Sequence, residues 1–214
     1  MPGMNVDPEN PANAPGPYKL KRLGFSWVRL VSRDSGAVRD YVDAAALCSV
    51  MVMAVITEQS GGYLCPADIY QLGNEPDLAG HGDTKSPAEY IEYWNLYRDT
   101  YPDVIMISAG LASGSPSWWR KVQDMGGLHG LNGMAVHPYA KTAEEAEALL
   151  VSYEYITSKV PIWVTEWNRP ATEIPRFMTM LRIWTAGHAW FSWGGQQNPE
   201  FNMTPLQGRL LGSL

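Results

Sequence analysis

VMVMAVI at residues 50–56, followed by IYQL at residues 69–72, is the stretch from which the fold can be read. The first run is apolar throughout, valine-rich and too short for a helix. It reads as a strand covered on both faces, the pattern of a parallel sheet. The residues between, 57–68, carry Gly61-Gly62 and Pro66, so any helix there must be short or missing.

Working outward, similar β-rich runs recur at residues 27–31, 104–108, 133–136, 162–165 and 189–192, with a short one at 4–6. Helical stretches with readable starts lie between them. Ser86-Pro87-Ala88-Glu89 is a capping box with proline at the first helical position, opening 87–100. Thr142-Ala143-Glu144-Glu145 opens a second helix to about Ser158. Ser115-Pro116 starts a third, which Gly126-Gly127 ends. Ser35 caps a helix running to Leu47, and Thr172 the one carrying residues 177–186. The Pro-rich segment 7–17 reads as a loop.

Strand and helix alternating this often define an α/β fold with a parallel sheet. Eight such units in 214 residues give a compact single-domain (β/α)8 TIM barrel with short βα loops, spanning 1–214. The rival, a doubly wound open sheet, usually carries a Gly-rich first turn, and no GxGxxG follows any strand.

A net charge of −6 and a pI near 5.2 argue against a nucleic-acid partner, since no basic run offers a phosphate footprint. No apolar run reaches membrane-spanning length, so no membrane partner is expected. Nine Trp and eleven Tyr suit flat sugar rings as well as ordinary cores. Cys48 and Cys65 form no CxxC pattern and read as inert thiols, with a disulfide left open. Residues 1–8 carry neither a basic start nor an apolar h-region. The protein is expected to act inside a cell, to leave by another route, or to have lost a leader.

In a (β/α)8 enzyme the reactive side chains project from the C-terminal strand ends. Here the fourth strand ends Gly73-Asn74-Glu75-Pro76-Asp77, the sixth Val136-His137-Pro138-Tyr139, and the seventh Thr165-Glu166-Trp167-Asn168. The second carries Arg29 amid apolar neighbours. An unpaired charge there would be costly, so Arg29 needs a carboxylate, and Glu166 is the best placed.

This set resembles the clan A glycoside hydrolases, with NEP after strand four, HPY after strand six and TEW after strand seven, in order. The resemblance covers essentially the whole chain and leans loosely toward the branch of β-xylosidases and iduronidases. It implies a retaining, two-glutamate O-glycosyl hydrolase acting on a β-linked glycan, with Glu75 as acid/base and Glu166 as nucleophile. Retention needs two carboxyl groups roughly 5 Å apart, one protonated and one ionised. Asn74 would bind the sugar 2-hydroxyl, Tyr139 would donate to the nucleophile, and Arg29 would keep it ionised. His137 would line the pocket. Trp193, or failing it Trp190, would be the platform under the sugar, with Trp167 supporting the site. Neither cofactor nor metal is implied.

The barrel is short for that clan. Trimmed loops suggest an open cleft and internal cleavage. Glu58, after the third strand, is a competing carboxylate, either a substrate contact or an ion-pair partner. Arg169 is the alternative partner for Glu166. Trp118-Trp119 suit a sugar platform or helix packing, whereas Tyr90, Tyr93, Trp94 and Tyr97 recur at helical spacing and read as core. Three rival functions remain: a phage-type or wall-lytic glycosidase acting on peptidoglycan or capsule, a non-catalytic carbohydrate-binding barrel, and a metal-dependent hydrolase. For the last, the histidines lack a ligand spacing such as HxxxH.

Overall fold

A computed structural model describes residues 1–80, 83–113, 116–157 and 160–191, with Met203, Thr204, Gln207, Leu210 and Leu211. Its strands are β1 (Pro2–Asn5), β2 (Trp27–Val31), β3 (Met51–Ile56), β4 (Ile69–Leu72), β5 (Met106–Ile107), β6 (Met134–Val136), β7 (Ile162–Trp167) and β8 (Gly187–Trp190). They form one parallel sheet ordered β5-β4-β3-β2-β1-β8-β7-β6. Its two ends meet where Ile107 bridges Gly133, the Ser108 amide donating to the Gly133 carbonyl at 3.1 Å. The ring is thereby nearly closed, and the expected (β/α)8 barrel is the fold.

The helices are α1 (Pro17–Arg22), α2 (Gly36–Leu47), α3 (Pro87–Thr100), α4 (Ser117–Asp124), α5 (Ala143–Thr157) and α6 (Ile174–Trp184). Ser35 caps α2 through the Val38 amide, and both halves of the Ser86–Glu89 capping box on α3 are made. Between β3 and β4 only a 3-10 turn forms, Glu58–Ser60, as the Gly-Gly and Pro signals require. Strand limits differ from the expected ones at β1, β5 and β8, and two further readings differ. The segment 7–17 is not loop throughout: it holds a 3-10 turn, and its last residue, Pro17, is the first of α1, whose N-cap Gly16 offers no side-chain bond. The last helix starts after Glu173 rather than at Thr172, again with no side-chain cap. Ser115 and Ser158 lie outside the described residues. Among the described residues no helix is long and apolar enough to cross a membrane. Cys48 and Cys65 are free thiols.

The lumen is filled in layers, and this positions the site. The lower layer is a separate apolar cluster of Trp27, Met53, Ile69, Ile107, Ala135, Trp163 and Ala189. Trp27 and Trp163 meet edge-on at 5.5 Å. Small residues make room for them: a Cβ on Gly3 would lie 2.3 Å from the Trp27 ring, and one on Gly187 2.6 Å from Trp163. Side chains two residues apart on a strand share a face. Stepping up two residues turns Gly3, Trp27, Ile69, Ala135 and Trp163 into Asn5, Arg29, Gln71, His137 and Thr165. These five side chains are polar and buried, and they form the floor of the site.

Candidate active site

Strict alternation from Trp163 would turn Glu166 outward. The pairing of β7 with β8 shifts register between Val164 and Trp167, which inserts an extra residue. A bulge of this kind re-aims a side chain. Thr165 and Glu166 therefore both reach the lumen side, where Glu166 meets Arg29.

Arg29 is the hub of the polar layer. Its Nη1 donates to Glu166 Oε1 at 2.8 Å and to Asn5 Oδ1 at 2.6 Å. Its Nε donates to Gln71 Oε1 at 2.8 Å and its Nη2 to Asn74 Oδ1 at 2.6 Å. Asn5 is anchored in turn by donating to the Thr165 and Trp190 carbonyls. Asp7, the other polar residue near the first strand end, instead faces Arg33 at 4.0 Å. The second oxygen of Glu166 accepts the Tyr139 hydroxyl at 2.7 Å. Burial alone would push the Glu166 carboxyl up. His137, the Arg29 guanidinium and the Tyr139 hydroxyl outweigh it and hold the group below its usual value. Burial and the neighbouring Glu166 raise the Tyr139 phenol, keeping it a neutral donor.

Glu75 sits on the turn after β4 in the left-handed backbone region, with φ +49°, following Gly73 at φ +80°. Such a conformation in a non-glycine residue costs free energy and clusters at functional sites. The Glu75 amide donates to the Gly110 carbonyl at 2.9 Å. Its carboxylate faces His137 Nδ1 at 3.2 Å, while His137 Nε2 lies 3.1 Å from Thr165 Oγ1 and 3.7 Å from Glu166 Oε1. One oxygen of Glu75, one of Glu166 and a ring nitrogen of His137 all lie within 4.8 Å of one another. No spacing in the sequence announced this trio as possible metal ligands. Both Glu166 oxygens already accept from Arg29 or Tyr139, so a dication there would compete with a buried guanidinium 2.8 Å away.

The pair opens onto a cleft of about 260 Å³, lined by Arg29, Val31, Val55, Thr57, Glu58, Gln59, Asn74, Glu75, Asp83 and Glu166. Glu58 lines it and pairs with Lys85 at 3.5 Å. Arg169, the alternative partner for Glu166, lies instead over the Phe177 ring at 4.8 Å. Trp167 and Trp190 are 1% exposed and pack on each other, 5.1 Å between ring centres, so neither presents a face to a sugar. Both stand behind the site. Trp193 lies outside the described residues. Trp119 packs edge-on against Tyr90 in the core, with Trp118 beside it. Gln71, Thr165, Asp83 and Gly110 escaped the sequence reading. The first two could have been found as polar residues at lumen-facing strand positions, but the loop residues give no periodic signal.

A near-closed parallel barrel, bearing two carboxylates side by side at the C-terminal ends of its strands, fits the class of barrel glycosidases. The glycosyl hydrolase catalytic core model matches residues 70–194, and the chain belongs to that family. It is an O-glycosyl hydrolase by family. Three solved structures illustrate the fold. A GH128 subgroup I endo-β-1,3-glucanase from Amycolatopsis mediterranei, in complex with laminarihexaose, superposes with a TM-score of 0.73 at 16% identity, covering 99% of this chain and 98% of that one. A subgroup V exo-β-1,3-glucanase from Cryptococcus neoformans gives 0.71 at 18% identity, covering 99% and 98%. A subgroup VII oligosaccharide-binding protein from Trichoderma gamsii gives 0.71 at 11% identity, covering 99% and 92%. Comparison with curated proteins finds no match.

Proposed function

We propose that the chain hydrolyses a β-1,3-linked glucan with retention, Glu166 acting as nucleophile and Glu75 as acid/base. The observation that carries this reading is the approach of Glu75 and Glu166 within 4.8 Å, with Glu166 held ionised by Arg29 and Tyr139. Retaining enzymes place the two carboxyl groups about 5–5.5 Å apart, whereas inverting enzymes need roughly 6.5–9.5 Å for an intervening water. The β-1,3-glucan substrate is suggested by the neighbours, two of which are β-1,3-glucanases.

In the proposed cycle Glu166 attacks the anomeric carbon while Glu75 protonates the leaving oxygen. Forming the ester removes the nucleophile's charge, and Glu75, now a carboxylate, takes a proton from the water that cleaves it. Asn74, held by Arg29, would bind the 2-hydroxyl. Short βα loops, with only a 3-10 turn between β3 and β4, favour an open cleft and internal cleavage.

The test is digestion of laminarin followed by NMR of the first-formed anomer, with peptide mapping after a 2-deoxy-2-fluoro glucoside. The expected results are β product, an adduct on Glu166, and inverted glycosyl azide from Glu166→Ala given azide. Initial α product, or an adduct on Glu58, refutes the assignment. A binding-only barrel is the second reading, favoured by the oligosaccharide-binding neighbour. It predicts laminari-oligosaccharide binding with no turnover.

A further inference from the structure

We propose that Asp83 is a positioning residue that clamps the strained Gly73-Asn74-Glu75 turn and so aims the Glu75 carboxyl. The inference rests on the assignment of Glu75 as acid/base. Asp83 lies on the segment joining β4 to α3 and is 3% exposed at the cleft. Its Oδ2 accepts the Asn74 amide at 2.6 Å. Its Oδ1 accepts Lys85 Nζ at 3.1 Å, and the same ammonium reaches Glu58 at 3.5 Å and lies 4.7 Å from the centre of the Tyr93 ring. The Lys85 amide, meanwhile, donates to the Pro76 carbonyl at 2.9 Å. The strap 83–85 thus crosses the turn and holds it on both sides of Glu75, from Asn74 to Pro76.

Why a carboxylate is used follows from what the turn requires. A left-handed Glu75 directly before proline relaxes unless its neighbours over-determine it. A charge-assisted bond to the preceding amide is shorter and stronger than a neutral one, and Lys85 offsets the cost of burying the charge. The fit is close. A Cβ on Gly73 would fall 2.9 Å from Asp83 Oδ2, so glycine at 73 both permits φ +80° and lets the carboxylate approach. Asn74 is then fixed at its main chain by Asp83 and at its side chain by Arg29. Releasing the first anchor leaves Asn74 tethered to the hub by its side chain alone, and the turn at Glu75 loses the bond that holds it on the Asn74 side.

The test compares wild type, Asp83→Ala and Asp83→Asn on two aryl β-laminaribiosides, one with a dinitrophenyl leaving group and one with phenyl. A dinitrophenolate leaves without protonation, so kcat/KM for that substrate does not depend on the aim of Glu75. Asp83→Ala is expected to lower kcat/KM about 100-fold on the phenyl substrate, the scale of a 1 Å misplacement, and under about threefold on the dinitrophenyl one. Asp83→Asn keeps an acceptor for the Asn74 amide and should recover about tenfold on the phenyl substrate, and it serves if the alanine variant does not fold. Equal losses on both substrates, or none, overturn the proposal. A readout independent of turnover is hydrogen exchange at the Glu75 amide, expected to quicken about tenfold in Asp83→Ala as the turn loosens. An unchanged rate also overturns it. If wild type turns over neither substrate, or if Glu75→Ala is not rescued by azide, the acid/base assignment fails, and the exchange rate still decides whether Asp83 holds the turn.

Discussion

Replacing Arg29 by methionine keeps the bulk of the stem and removes the charge that faces Glu166. The pair is deeply buried, each side chain 7% exposed, with 2.8 Å between Nη1 and Oε1. Breaking such a pair costs about 3–5 kcal/mol, because the remaining charge is left uncompensated. Much of this cost depends on pH. In wild type the folded-state value for Glu166 lies below 4.5, so its contribution is present above pH 4.5 and is lost as pH falls through the lowered value. In the variant burial is opposed only by His137 and Tyr139, and the folded-state value rises. Glu166 can then escape its charge by taking up a proton, which at pH 7 costs at most about 2.5 pH units of 1.4 kcal/mol each, or about 3.5 kcal/mol. At pH 4.5 the same proton costs a few tenths. Urea unfolding of both proteins at the two pH values measures the difference, and carboxylates elsewhere cancel between them. The expected outcome is a stability gap that widens by up to about 3 kcal/mol from pH 4.5 to 7. A gap that is constant within 0.5 kcal/mol would refute the claim that Arg29 acts as the counter-charge, and with it the reason given for an ionised Glu166.

Tyr139→Phe removes the hydroxyl donated to Glu166 Oε2 at 2.7 Å; a charge-assisted bond of about 1.5–3 kcal/mol sets the loss in kcat/KM at roughly 10- to 150-fold. An unchanged rate would separate Tyr139 from the nucleophile. Gly110→Ala places a Cβ 2.3 Å from His137 Nε2, and His137 is fully buried, so the imidazole must leave its position between the two glutamates. Activity should fall about 100-fold with near-normal substrate affinity by calorimetry, and full activity would show that His137 need not sit there. His188 is buried near the N-terminal ammonium and Arg182, and burial with these charges pushes it down to about 3 from 6.5. The unfolded chain gains its proton below pH 6.5 while the folded one does not, so stability present above 6.5 is lost as pH falls. At pH 5 the loss is about 2 kcal/mol, and His188→Leu should abolish this component of the pH dependence in thermal unfolding; an undiminished slope places its origin elsewhere.

The strands were legible because a strand buried on both faces is written as an apolar run, and β2 and β4 match their expected limits residue for residue. Arg29 was legible for the opposite reason, since a charge inside such a run demands a partner. What stayed hidden was geometry without a local signature. The bulge in β7 leaves no mark in TEW, yet strict alternation would have turned Glu166 away from Arg29. The left-handed Glu75 is equally silent, because asparagine, glutamate and proline in a turn suggest many conformations. Asp83 is farther still from any pattern: it sits on a connecting segment, and its partner is a main-chain amide nine residues back.

The two carboxylates share a rim but not an environment, and on the proposed assignment that asymmetry sets their roles. Glu166 grows from a strand over the rigid apolar layer and receives donors at both oxygens, so it is fixed in place and kept charged. Glu75 grows from a strained turn, meets His137 at 3.2 Å, and is aimed through its backbone rather than through its carboxyl. A nucleophile needs one position and one charge state, whereas an acid/base must bind and release a proton in every cycle, which a carboxyl saturated with donors resists. Exchanging the roles would require Glu166 to take up a proton against Arg29. The direction of the chemistry therefore follows from which strand carries the arginine's partner.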